Sequence, residues 1–251
     1  MDSTVATFRA SLLFMACAII DSLFLIAIGL LVGIDLVILL PCSLVLASIW
    51  ILIVYRRIDS FILKRIHAIP AKLGNYPGFQ NLVEGVCISY GFREPVLFVV
   101  EDAAPNMMMV GRSPQYSNLV VTTGLLDRVQ RPELEGLIAH ELSRSRNRIS
   151  YLEGALAILV AWPWSFIPTL VEKVSAKFID PWSIAEIDIA AVGLTRYPPG
   201  LGKALESIHS DGREPTHNPR FCRHMWINPP SESLVVTGFS TNDRIAALAE
   251  L

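Results

Sequence analysis

The sequence predicts an α+β, mainly helical integral membrane protein: a transmembrane helical hairpin over residues 1–57 and a helix-rich core over 58–251 with a small β-sheet. Three observations predict it. Two apolar runs, Ser11–Gly33 and Leu36–Tyr55, are each about the twenty residues a bilayer requires. Two short runs rich in valine, Pro95–Val100 and Asn118–Thr123, read as strands. Around them lie segments with helical spacing and clear helix ends, the strongest at Arg131–Ser150.

Composition agrees with the membrane reading. Hydrophobic residues make up 52% of the 251 and charged residues only 18%, an unusual balance for a soluble domain. A formal net charge of -2 excludes a general nucleic-acid binder, which needs a basic surface. Cys17, Cys42, Cys87 and Cys222 are widely scattered and read as thiols in a reducing compartment, with no disulfide framework.

Only Ile34-Asp35 separates the two apolar runs, so they form a tight hairpin. The rival for the first run is a cleaved signal peptide, which would have a shorter apolar core and a small-residue cleavage site. Arg56, Arg57, Lys64 and Arg65 follow the second span, whereas the hairpin tip carries no lysine or arginine. The positive-inside rule then places the N-terminus and everything after Tyr55 in the cytoplasm of a multi-pass cell-membrane protein. Asp21 lies mid-span, where a carboxyl group implies a partner or a protonated hydrogen-bond donor.

Beyond the hairpin, Asp59–Ile69 reads as a juxtamembrane amphipathic helix with Phe61, Ile62, Ile66 and Ile69 near one face. Phe79–Tyr90 has helical spacing and Gly91 stops it. The strand Pro95–Val100 is followed by a turn at Glu101–Pro105, and Asn118–Thr123 ends at Gly124. Gly200-Leu201-Gly202 follows two prolines and lacks a preceding strand, so it marks a helix start and no phosphate loop.

The central helix carries the chemistry. Pro132 sits in its first turn, where a missing N–H costs nothing, with Glu133 and Glu135 early and Arg144, Arg146 and Arg148 late, as the helix dipole favours. His140-Glu141 begins an H-E-x-x-H pattern, in which two histidines on one helix face bind zinc and the glutamate activates a metal-bound water. Here the fifth letter is Arg144.

The ordered run from Val99 through Asn106-Met107-Met108-Met109-Val110-Gly111, Thr122-Thr123-Gly124-Leu125-Leu126 and His140-Glu141 resembles the HtpX-like membrane metallopeptidases, relatives of the CAAX prenyl proteases. The tail, Met225–Pro229 with Phe239-Ser240-Thr241 and Arg244–Leu248, is similar to that family's ending. The resemblance implies a cytoplasmic gluzincin-like metallopeptidase core in the bacterial inner membrane. It also implies a substrate cleft lined by Asn106–Met109, and a membrane hairpin at 152–171. That last stretch is apolar but broken by Pro163, Trp164 and Pro168, with basic residues on both flanks. A re-entrant or kinked hairpin returning to the cytoplasmic face is therefore expected, with a complete third span as the alternative.

Matching the family motifs residue by residue leaves His140 at the first zinc-ligand position, Glu141 at the general-base position and Asp188 at a supporting aspartate. Arg144 replaces the second histidine and Ile184 falls at the third-ligand position. Glu186 is two residues beyond, rotated by about 200° on a helix, so it does not substitute. Catalytic zinc needs three protein ligands and an open position, and a guanidinium has no lone pair to offer. The spacing of His209, His217 and His224 suggests no replacement ligands. Met107–Met109 fill the cleft or form a flexible contact surface, filling being the preferred reading.

Two functions follow. One is a pseudopeptidase without a cofactor, acting in the bilayer as a binding or scaffold subunit of a membrane protein complex. The other is an active zinc-dependent endopeptidase in protein quality control. In the first, Arg144 is expected near the vacated metal position, paired with Glu141, Asp188 or both.

Overall fold

The computed structural model describes residues 3–230 other than 73 and 181, together with 233, 235 and 239–251. Two long helices, α1 (Ser3–Leu31) and α2 (Leu36–Arg65), pack antiparallel across a turn in which Gly33 has φ 83°. Their outer faces are apolar and exposed, Phe24 by 65% and Val37 by 81%. So much uncovered apolar surface on two helices long enough to cross a bilayer suits a hydrocarbon solvent. Ser22 and Ser43 meet inside the hairpin at 2.9 Å, satisfying two hydroxyls that lipid would leave unpaired.

Helix α2 continues unbroken to Arg65, so the separate juxtamembrane helix expected over Asp59–Ile69 does not exist. Ile58, Ile62 and Ile66 prolong its apolar stripe into the core, and nothing in Asp59-Ser60 interrupts the hydrogen-bond ladder. His67, at φ 56°, ends the run, and Ile69–Pro70 forms the short strand β1. Helix α3 (Pro77–Tyr90) stops as expected at Gly91, whose φ of 68° suits glycine.

The sheet comprises β1, β2 (Val96–Val100), β3 (Met107–Ser113) and β4 (Tyr116–Thr122) in the order β1-β2-β4-β3. β2 and β4 are parallel, whereas β3 returns antiparallel along β4. The segment expected to be cleft lining is thus a strand. Its side chains alternate between two layers: Met107 and Met109 enter a cluster with α3 and the central helix, while Met108 and Val110 enter a cluster with the membrane hairpin.

After β4, Thr122 caps the short α4 (Thr123–Arg128) through Leu125 N–H. The central helix α5 (Arg131–Arg146) starts with a capping box between Gln130 and Glu133. It ends earlier than its charge pattern predicts: Arg148 adopts φ 57°, and the chain restarts as α6 (Ile149–Leu156). Helix α6 runs into a π-helical turn at Ala157–Ala161 and a Trp-Pro-Trp bend, and α7 (Pro168–Phe178) returns. This kinked hairpin lies beside α1 and α2. Tyr151 stacks on Phe14 at its base, and Arg9 on α1 donates 2.7 Å to the Phe178 carbonyl where α7 ends. Residues 149–161 are buried, so their apolarity serves packing against the sheet and hairpin.

Helices α8 (Ser183–Thr195), α9 (Pro198–Asp211) and α10 (Thr241–Ala249) close the fold on the other side of α5. α5 and α9 cross at glycines: a Cβ on Gly136 would lie 2.8 Å from Leu201 N, and one on Gly200 2.8 Å from the Pro132 carbonyl oxygen. The close crossing seats α5 in the middle of the molecule.

Candidate functional site

Because the middle of α5 is enclosed by the sheet, α8 and α9, the charged residues of its C-terminal half before Arg146 are buried. His140 and Glu141 are fully buried, and Arg144 nearly so. A buried charge needs partners, and the chain supplies them from four other elements.

Arg144 lies three residues after Glu141, on the same helix face. Its Nη1 donates to Glu141 Oε1 at 2.9 Å, to Oε2 at 3.2 Å and to the Met225 carbonyl at 3.0 Å. Its Nη2 meets Glu153 on α6. Burial works against the charged guanidinium, but Glu141 and Glu153 together hold its pKa above the ordinary value. Burial alone would raise the Glu141 carboxyl; Arg144, with His140, more than offsets this and holds it below the usual carboxylate range.

Asp188 approaches from α8 but does not pair with Arg144. It is taken by Arg244 of α10, through Nε–Oδ2 and Nη2–Oδ1 contacts of 2.8 Å each, a forked arrangement that matches guanidinium to carboxylate. Arg244 Nη1 also donates to the Ile227 carbonyl at 2.7 Å. Burial raises the Asp188 carboxyl, and Arg244 reverses this strongly, leaving it well below the usual range. The two clusters meet at His140. Its Nε2 is 3.2 Å from both Asp188 Oδ1 and Arg244 Nη2. Its Nδ1 lies 3.3 Å from Glu141 Oε1 without hydrogen-bond geometry.

Of the sequence-predicted residues, His140, Glu141, Arg144 and Asp188 converge. Ile184 is one turn before Asp188 on the same face of α8, half-buried, and Glu186 is on an exposed face. Asn106 is buried and ties strands to tail: its amide donates to the Asn228 carbonyl at 3.1 Å, and its Oδ1 accepts from Met107 N–H at 3.0 Å. Met107, Met108 and Met109 have no exposed surface. The outer edge of β3 is covered by the chain itself, with Trp226 bridging Met108 and Ile227 N–H donating 2.8 Å to the Met107 carbonyl.

Sequence reasoning missed Glu153 and Arg244. Glu153 carried a signal: it is the only charged residue in the apolar stretch 152–171, and such a carboxylate is rarely buried without a partner. His224 is also buried. Its Nε2 donates to the Glu153 carbonyl at 3.2 Å, and burial lowers its pKa to about 3, so it stands behind the cluster as a neutral ring.

These residues do not make up a three-ligand zinc set. Arg144 and Ile184 have no donor lone pair for a metal, and the His140 Nε2 lies against Asp188 and Arg244. Among the described residues no three His, Cys, Asp or Glu side chains are grouped to hold an ion.

The fold thus joins an apolar hairpin to a core whose central helix carries H-E at a buried polar site, the arrangement of a membrane-embedded peptidase of the gluzincin type. The profile of peptidase family M48 matches residues 78–175. A protease HtpX homolog of Thermoanaerobacter pseudethanolicus is 29% identical over 87% of this chain and 86% of its own. One of Dictyoglomus thermophilum is 30% identical over 77% and 76%. A third, of Caldanaerobacter subterraneus, is 36% identical over 51% and 42%. No solved structure matches the chain significantly. The protein belongs to the HtpX-like branch of peptidase family M48 and is a membrane protein.

Proposed function

We propose that this chain is a pseudopeptidase: an HtpX-like protein, multi-pass with N-terminus and core in the cytoplasm, that binds or scaffolds another membrane protein without hydrolysing it. The observation that carries this reading is the pairing of Arg144 with Glu141. A fixed cation at a ligand position repels a divalent metal, and it occupies the carboxylate that would serve as general base. Without a metal, water keeps a pKa near its bulk value, and a carboxylate held below its ordinary pKa is too weak a base to deprotonate it.

The purified protein should contain no stoichiometric zinc and leave casein intact. About one zinc per chain, with proteolysis abolished by Glu141→Gln, would instead establish the second reading, an active quality-control endopeptidase. The relatives' names, protease HtpX homolog, favour that alternative. In the double variant Arg144→His with Ile184→Glu, the three-ligand set is restored around Glu141, and zinc uptake by it is the expected mark of a decayed peptidase centre. Extracted gently in detergent, the chain should run in a complex well above its own 27.8 kDa.

A further inference from the structure

We propose that the cavity between the membrane hairpin and the Trp-Pro-Trp bend holds an acyl chain of an anionic phospholipid, with the lipid phosphate on Arg57. The cavity measures about 510 Å³ and is walled by α1, α2 and the bend, with Trp50, Phe61, Trp164 and Phe166 among its apolar lining. That volume lies within the range of sites for small ligands.

Depth places it in the hydrocarbon. The aromatic group of Phe14, Tyr55 and Tyr151 marks the base of the hairpin, as interfacial aromatics do. The bend lines the same cavity as Asp21, seven residues beyond Phe14 and so roughly 10 Å further along α1. The kinked hairpin therefore rises beside the spans and returns at Phe178, leaving an apolar recess that only a chain of matching polarity fills.

Two polar groups line the recess, and they have opposite signs. Arg57 follows Trp50 by about 10 Å on α2, just past the end of the apolar run and at headgroup level. It is exposed, and no carboxylate among the described residues pairs with it. A cation at the mouth of an apolar recess selects an anionic headgroup. Asp21 sits at the inner end, where beside a hydrocarbon tail it takes the role of the protonated hydrogen-bond donor expected of a mid-span carboxyl group. A cationic occupant would reverse these roles.

The test uses the full chain reconstituted in phosphatidylcholine vesicles containing a trace of phosphatidylglycerol with a photoactivatable diazirine midway along one acyl chain. Cross-links should concentrate at Trp50, Trp164 and Phe166, and unlabelled phosphatidylglycerol should compete where phosphatidylcholine does not. Arg57→Gln should weaken that preference about fivefold, the effect of one interfacial cation. Arg56→Gln, outside the cavity, and Asp21→Asn should leave it unchanged. Labelling spread evenly over the outer faces of the hairpin, such as Phe24 and Val37, would overturn the proposal, as would equal competition by both lipids. A rise in labelling in Asp21→Asn, with Arg57→Gln unchanged, would also overturn it, by revealing a cationic occupant that excludes the label. Cross-links from these positions to a co-purified protein would identify a partner helix.

Discussion

Two arginines flank His140, and they are not equivalent. Arg244 faces one carboxylate, a backbone carbonyl and the imidazole, and its forked bond with Asp188 joins α10 to α8. Arg144 faces two carboxylates and a carbonyl and joins α5 to α6 and to the segment before Trp226. The first lies in the C-terminal helix; the second lies in the central helix, three residues after Glu141. The two carboxylates of the Arg144 cluster share one fixed cation, and that cation draws α5 and α6 together. The lesson is that two buried carboxylates facing one guanidinium depend on it more than a single carboxylate does.

The largest expected effect is therefore Arg144→Ala. It strands Glu141 and Glu153 together in the interior and should cost about 3–5 kcal/mol, read as a lowered Tm in detergent. Arg146→Ala, at the exposed end of α5, and Arg148→Ala, half-buried at the break before α6, should each cost under about 1 kcal/mol. Equal losses from all three would erase the distinction between the two clusters and a plain helix end. Arg244→Ala ranks next, at about 3 kcal/mol, because it strands only Asp188. If it proves costlier than Arg144→Ala, the α10 clamp outweighs the Arg144 cluster.

Acid should separate the clusters from the ring behind them. His224 has a folded pKa of about 3 against an ordinary 6.5, so the unfolded chain takes up a proton first as pH falls. Its contribution to stability is complete above pH 6.5 and is lost between there and about 3, roughly 2 kcal/mol by pH 5. Glu141 and Asp188 also have depressed folded pKa values, and their contribution is lost only below the ordinary carboxylate range, about pH 4. His224→Gln should flatten the decline in Tm between pH 6.5 and 4 while sparing the steeper fall below. An unchanged profile would mean that the ring is not the group taking up the proton.

Much of this architecture was legible in the sequence where local physics decides. The two spans are set by length and apolarity, and α3 by its spacing and the left-handed Gly91. β3 was not read as a strand because both its faces are buried, so Met107–Val110 shows no alternation. The break at Arg148 was hidden by a charge run that continues smoothly across it. At the site, helical spacing was enough to bring Arg144 to Glu141. It could not divert Asp188 to Arg244, because that pairing joins helices 56 residues apart in sequence and depends on how α10 docks.

A smaller, local effect tests that docking. Helix α10 is only nine residues long and begins with a capping box: Ser240 Oγ accepts from the Asp243 N–H, while Asp243 Oδ2 accepts from the Ser240 N–H and hydroxyl. So short a helix has little stability of its own, so its first turn depends on the cap and on packing against α9. Arg244 lies in the second turn and reaches Asp188 only while the first is formed. Ser240→Ala should cost about 1 kcal/mol. The loss should appear locally, as faster amide exchange along Thr241–Ala249 with α5 still protected. Because Arg144 draws on α5, α6 and the Met225 carbonyl alone, its cluster should not register the change. If exchange in α5 rises in step with α10, the two arginines form one cooperative unit and the contrast between them fails.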